Sequence, residues 1–429
     1  MARINGDRLL TDLRELARIG AYRTGVNRIA LSAPDIEARH WLVDKLSRIG
    51  LDASMDRIGN VLGRDRKAEK AVLIGSHTDT VPKGGWLDGA LGVGYALEIA
   101  RSAAESGERY ASGLDVVSFE DEEGTYLPFL GSLSFFDDLD EGEVAAARSA
   151  DGASLAAALE SIKDAPLPHR FDRKRELCYL EAHIEQGPRM EAAGARIGVV
   201  SALVGIRRFR IRSRGAANHA GTTPMTMRRD AGAALIGLGA AVDAEFRRLA
   251  GRDTVWNIGN MIFRPGTANV VPGEGEMLLE FRDIRTEVLD RLEERFLALV
   301  TEAGRGAVTL ACETTARLAP TALAENLRVA IAAAASARGE EPMHLASGAG
   351  HDAMVAARFM PAAMMFVPSI GGISHDVAEN TSDADIVFGC EVLADAVAAL
   401  RREADRMGAD RMGADRMGIA QKAENPPSA

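Results

Sequence analysis

"GSHTDTVPKGGWLDGALGVG", residues 75–94, follows directly on the apolar run "AVLI" (71–74). The run reads as a short strand buried on both faces, as strands of parallel sheets are. It ends on a histidine and an aspartate and then enters a glycine-rich loop. "GALGVGYALEIARSAAESG" (89–107) returns as a helix. The pattern recurs in "LDVVSFEDEEG" (114–124), "LCYLEAHIEQG" (177–187) and "AAMMFVPSIGG" (362–372), each an apolar strand that runs into polar chemistry or a glycine-rich loop. Strand, helix and strand with functional groups at the strand ends predict an α/β domain. Its sheet is mostly parallel and flanked by helices, with its site at the carboxyl edge. Upstream, "SAPDIEARHWLVDKLSRIG" (32–50) reads as a helix with Ser32 as N-cap and Asp35 three residues on.

From about residue 206 the pattern changes. "IRRFRIRS" alternates apolar and basic residues, as a one-sided antiparallel strand does, with a solvated arginine face. A long helix is expected over 224–250 with Pro224 in its first turn. It is followed by the strands "TVWNIGNMIF" and "GEMLLEFRDI", a helix over 286–304, and "AVTLACETT" (307–315). The buried-strand style resumes only after residue 320. The expected organisation is a discontinuous catalytic domain, 1–205 and 320–405, interrupted by a smaller α+β domain, 206–319, with an antiparallel sheet. A repetitive tail, 406–429, carries most of "DRMGADRMGADRMG" (405–418), to which no function is assigned.

The 429 residues are 47% hydrophobic and 26% charged, which fits a globular enzyme too large for one core. A net charge of −11 argues against nucleic acid or an anionic membrane as partner. Three widely spaced cysteines, Cys178, Cys312 and Cys390, form no disulfide framework and point to a reducing compartment. No apolar run approaches the length of a membrane helix, so the expected location is cytoplasmic.

His77 and Asp88 are suited to zinc, manganese, cobalt or nickel. Asp79 can accept the second imidazole N–H of His77 and hold its tautomer. Adjacent acids in "FEDEEG" (119–124) are costly to bury without a cation. Glu122 and Glu123 at a strand end point different ways, so one can bind metal while the other stands over water. His183 and His375 occupy comparable positions. Three histidines and two acids with one shared carboxylate are what a two-metal hydrolase needs.

These segments resemble the di-metal metallohydrolases of the aminoacylase and carboxypeptidase type. Within them the chain is most similar to the amidase, hydantoinase and carbamoylase branch, which includes N-carbamoyl-L-amino acid hydrolases, β-ureidopropionase and allantoate amidohydrolases. The resemblance spans about residues 5–402. It is carried by "GSHTDTVPKGGWLDGALGV", "EDEEG…LGS", "HIEQGP", "GAANHAGTTPMTMRRDA", "ANVVP", "LEFRDI", "GAGHDA" and "GISHDVAE". The histidine of "HIEQG" favours this branch, since peptidase relatives usually carry an acid there. The resemblance implies two divalent ions per subunit, zinc first, with manganese, cobalt and nickel as alternatives. His77 and His183 would serve one ion, His375 and Glu123 the other, and Asp88 would bridge them. Glu122 would be the general base. Gln186, His219, Asn269 and Arg282 would contact substrate, and the inserted domain would mediate a homodimer in which His219 reaches the partner subunit's site.

The expected activity is hydrolysis of a linear C–N bond in a small carboxylate-bearing substrate, N-carbamoyl-L-amino acids first. Alternatives are allantoate or β-ureido acids, and N-acyl-amino acids or dipeptides. From another class, the alternative is a catalytically silent metal-dependent binding protein. The branch usually continues its double glutamate as "EEGxRF". Here "EEGTYLPFLGS" places Tyr126 and Leu127 instead, and Trp86 stands beside Asp88; both changes are expected to add apolar bulk near the pocket. His351 and Asp352 of "GAGHDA" are expected to support the metal site. His40, His169 and His344 read as structural or surface residues.

Overall fold

A computed structural model describes residues 3–107 and 110–424, with 408–424 as backbone only. The chain divides into two compact units. One comprises residues 1–201, 323–345 and 351–429; the other comprises 202–322 with 346–350.

The first unit is built on a mostly parallel sheet. From one edge its strands run Asp52–Met55, Val61–Arg64, Gly113–Phe119, Ala71–His77, Glu176–Ile184, Ala362–Val367 and Gly198–Leu203. The central four pair in parallel, and the strands on either side are antiparallel. Every residue of Ala71–His77 and Gly113–Phe119 is buried, which explains why these strands read as unbroken apolar runs. The helices Ala33–Arg48 and Ala90–Ser106, and Asp383–Glu424 along its first part, pack against the sheet. The 405–418 repeat lies within the last of these helices, and residues 425–429 of the expected tail lie outside the described residues.

Register gathers the chemistry at one edge. His77 is level with Phe119, so residues 120–123 leave the sheet beside it. Ile74 is level with Leu180, which places His77 and His183 at the same height three residues on. Phe366 is level with His183, and the loop carrying His375 follows that strand.

Ser32 stands at the N-cap position of the Ala33–Arg48 helix, as expected. The Ser32 side chain makes no capping bond; instead Asp35 accepts from the backbone N–H of Leu31 at 3.0 Å and binds Arg39 at 2.9 Å. A buried arginine draws the carboxylate into a charge network, and the short serine is left out.

The second unit has a four-stranded antiparallel sheet. Its order is Val255–Arg264, Glu274–Asp283, Gly205–Arg214, Thr309–Leu318. The helices Ala231–Leu249 and Thr286–Ala303 pack against it, burying Phe209, Phe246, Phe281 and Phe296. At roughly 1.5–3 kcal/mol per fully buried side chain, these rings dominate that core. The other face carries Arg208, Arg210 and Arg212, paired with Glu276, Glu280 and Glu313. The basic stretch is therefore a charge-balanced sheet face. The first long helix starts later than expected, at Ala231. Arg229 is held extended by the backbone bond from Ala216, and Asp230 caps the helix by accepting from Ala233 N–H at 2.9 Å. Pro224 leads only into a short 3₁₀ turn, Met225–Met227.

Candidate metal centre

At the sheet edge of the first unit, ligand atoms of His77, Asp88 and His183 lie within 4.8 Å of one another; so do those of Asp88, Glu123 and His375. Asp88 belongs to both sets. His77 Nδ1 donates to the backbone carbonyl of Asp79 at 3.0 Å, with the Asp79 carboxylate 3.6 Å away. His183 Nδ1 donates to the carbonyl of Ile184 at 2.9 Å. Each bond to a carbonyl fixes the proton on Nδ1 of the neutral ring, so each Nε2 turns a lone pair inward. His183 Nε2 faces Asp88 Oδ1 at 2.9 Å; His77 Nε2 faces Asp88 Oδ1 at 3.7 Å and Glu122 Oε2 at 3.6 Å. Such a pair needs positive charge between its two atoms, a proton in the metal-free protein or a metal ion in its place. His77 Nε2 and Glu123 Oε1 are buried and have no hydrogen-bond partner, which fits ligands prepared for a metal.

Electrostatics agree with this donor set. The hydrogen bond to Asp88 lifts His375 to about 9. Burial and the charge on Asp88 push Glu123 up to about 8, and burial raises Glu122 well above the carboxylate range. Asp88 is held well below the usual carboxylate value by His183, His375 and His77, against the cost of burial.

Three residues of this region hold a left-handed backbone. Asp121, Gln186 and His375 have φ of 54°, 58° and 56°, which is unfavourable for residues with a Cβ. Gly89, at φ 63°, is required: a Cβ there would lie 2.4 Å from the His77 ring.

The four acids of 120–123 divide their tasks. Glu120 meets buried Arg39 at 2.5 Å, and Asp121 accepts backbone N–H bonds from Thr125, Tyr126 and Leu127. Glu122 and Glu123 are left to face the histidines. Arg39 also bonds the carbonyls of Gly59 and Phe119 and lies 3.6 Å from Asp79. It thus ties together the two strand ends that carry His77 and Glu122. Sequence reading did not assign Arg39, Asp121, Glu181 or Glu379 to the site. Arg39 lies some forty residues before the nearest expected ligand, and its amphipathic helix gave no sign of a buried charge.

Gln186 does not reach away from the centre: its Nε2 donates to Asp88 Oδ2 at 2.9 Å and lies 3.3 Å from His375 Nε2. The His351 ring stands edge-on to His183 with centroids 4.5 Å apart. Asp352 is fully buried, and its neighbour's backbone N–H, from Ala353, is bonded to Glu181. Trp86 lines a groove with Arg14, Arg18, Arg23 and Thr24, where the sequence pointed to a pocket at the metals. Tyr126 packs against the main core. His40 and His344 are exposed, and half-buried His169 approaches the carbonyl of Ser54 at 3.1 Å.

In the second unit His219 is exposed, and its Nδ1 accepts the N–H of Gly221 at 3.0 Å. The neutral ring therefore carries its proton on Nε2 as a donor. Arg228 steadies this loop through the carbonyls of Thr223 and Ala220, and the carbonyl of Asn269 accepts from Ala220 N–H. Arg282 pairs with Glu280 at 2.7 Å and donates to the carbonyl of Gly348 at 2.7 Å.

The stretch of chain that carries both histidine–carboxylate sets is matched by a family model. Residues 73–399 fit the model of peptidase family M20/M25/M40. The chain belongs to this family. An N-carbamoyl-L-amino acid amidohydrolase of Geobacillus stearothermophilus is 34% identical over 407 residues, covering 92% of this chain and 98% of the relative. An allantoate amidohydrolase of Escherichia coli is 34% identical over 394 residues, 86% of this chain and 92% of the relative. The crystal structure of an amidase of the hydantoinase/carbamoylase family from Burkholderia phymatum superposes with a TM-score of 0.84 at 45% identity. It covers 94% of this chain and 98% of that one. These relatives are amidohydrolases, acting on C–N bonds, and metallohydrolases of the M20 family use divalent metals, for which the two donor sets here supply candidate ligands. Among the described residues, no helix is long and apolar enough to cross a membrane.

Proposed function

We propose that the chain hydrolyses a linear ureido or amide C–N bond in a small carboxylate-bearing substrate, N-carbamoyl-L-amino acids first and allantoate or β-ureido acids next. It works as a homodimer with two divalent ions per subunit, zinc first, in the cytoplasm. The observation that carries the reading is the pair of donor sets sharing Asp88, with the Glu122 carboxyl 3.6 Å from His77. His77, His183 and Asp88 would hold one ion, and Asp88, Glu123 and His375 the other. Divalent ions, when bound, supply Lewis acidity toward water and toward a carbonyl oxygen.

Glu122 takes the proton of the attacking water and returns it to the leaving nitrogen. A base beside the ligands is of no use to a silent binding protein, which favours turnover. His219 presents its Nε2–H to the oxygen on which negative charge grows. Arg282 keeps N–H donors on its terminal nitrogens for the substrate carboxylate, and Asn269 and Gln186 add polar contacts. The relatives' names supply the substrate class.

Purified protein, metal-reconstituted, is to be presented with N-carbamoyl, N-acyl, ureido and dipeptide substrates, scoring ammonia, carboxylate and amine. Ammonia release from carbamoyl or ureido substrates, abolished by chelator, is expected. Release only from dipeptides would overturn the substrate assignment. For the dimer, His219→Ala chains mixed with Glu122→Gln chains should recover partial activity, because some hybrid sites are intact. No recovery under demonstrated subunit exchange counts against a partner-supplied His219.

A further inference from the structure

Two of the three segments that supply the Asp88–Glu123–His375 set are fastened to each other by a residue outside that set. Glu379 is 2% exposed. Its Oε1 accepts the backbone N–H groups of Leu87 at 3.1 Å and Asp88 at 3.0 Å. Its Oε2 accepts the hydroxyl of Ser374 at 2.8 Å, from the residue just before His375. The same hydroxyl lies 3.3 Å from Asp88 Oδ2. The carboxylate fills the space over Gly85, where a Cβ would fall 1.9 Å from Oε1. Thus one side chain clasps the Asp88 loop on one oxygen and the His375 loop on the other.

The two donor sets depend on such a clasp to different degrees. His77 and His183 are aimed by adjacent parallel strands and by carbonyls next to them in the chain. His375 sits in a loop, is half exposed, and holds φ at 56°, a conformation that costs energy unless its surroundings impose it.

We propose that Glu379 is the positioning residue of the second metal site, setting the Asp88–His375 spacing while leaving the His77–His183 site to the sheet. The proposal rests on the two-metal reading above. Partners that orient metal ligands typically contribute about 10–100-fold in affinity.

The test is a titration of chelator-stripped protein with Co²⁺, read by visible absorption and by equilibrium dialysis. Wild type should bind two equivalents. Glu379→Ala should weaken the second about 10–100-fold and the first, which shares Asp88 but keeps its two strand-held histidines, clearly less. Glu379→Gln keeps an oxygen for the two N–H groups, and its amide can donate to Ser374, so it should restore most of the second-site affinity. Equal weakening of both sites in Glu379→Ala, or none, would overturn the proposal. So would a Gln variant no better than the Ala variant. A wild type that binds fewer than two equivalents would sink the two-metal reading itself, which keeps the two failures apart. Should Glu379→Ala not fold, Ser374→Ala removes only one of the three bonds, and it must show the same selective loss in smaller measure.

Discussion

Two substitutions probe single atoms of the centre. Glu122→Gln keeps shape and burial but removes the proton acceptor. Turnover is expected to fall about 10²–10⁴-fold, the usual weight of a positioned acid–base group, with metal content unchanged by elemental analysis. Gly89→Ala combines an unfavourable φ of 63° with a Cβ placed 2.4 Å from the His77 ring. Loss of the first metal is expected, seen as reduced stoichiometry in the same analysis. At this scale the candidate donors that the structure gathers were legible from the chain, because histidines and acids at strand ends carry their chemistry in their identity. What Glu120 and Asp121 do was not legible. Four consecutive acids look alike until Arg39 takes one and three backbone N–H groups take another.

At the scale of elements, the continuous apolar strands and the alternating ones were read in the right places because burial on one or two faces leaves a periodicity in sequence. Helix starts were less legible. Ser32 holds the N-cap position without a side-chain capping bond, and the helix expected from Pro224 begins after Asp230. Asp230→Ala should cost about 1 kcal/mol, the worth of an N-cap, in urea unfolding. Arg39→Met is a heavier change. It leaves Asp35, Glu120 and Asp79 buried without their shared cation. A loss of about 3–5 kcal/mol is expected from denaturation of the chelated protein.

For the molecule as a whole, protons and metal compete for one set of groups. In the cation-free protein Glu123 sits at about 8 and His375 at about 9, both above their ordinary values of 4.5 and 6.5. A folded state with raised values holds protons that the unfolded chain releases. The stability they contribute is complete below the unfolded values and is lost as pH rises through the folded ones. Melting temperature of chelated protein should therefore fall from pH 6.5 to 9. Asp88, depressed in the fold, acts in the opposite sense but only in acid, outside that window. Metal binding displaces the same protons, so affinity should rise with pH over that range. Calorimetry with and without Zn²⁺ checks both. A chelated protein whose melting temperature rises from pH 6.5 to 9 would contradict this picture.

The amino-acid sequence alone determined the strand and helix alternation, the change of style after residue 206, and which side chains can hold a metal. Those properties are local: periodicity and side-chain chemistry are written within a few residues of one another. Tertiary structure decided which nitrogen of His77 and His183 faces inward, which of the acids 120–123 are spent on structure, and that Arg39 and Glu379 bond the segments carrying the candidate ligands. Arg39 and Asp79, or Asp88 and Glu379, are far apart in the chain, and only sheet register and loop packing bring them within bonding distance.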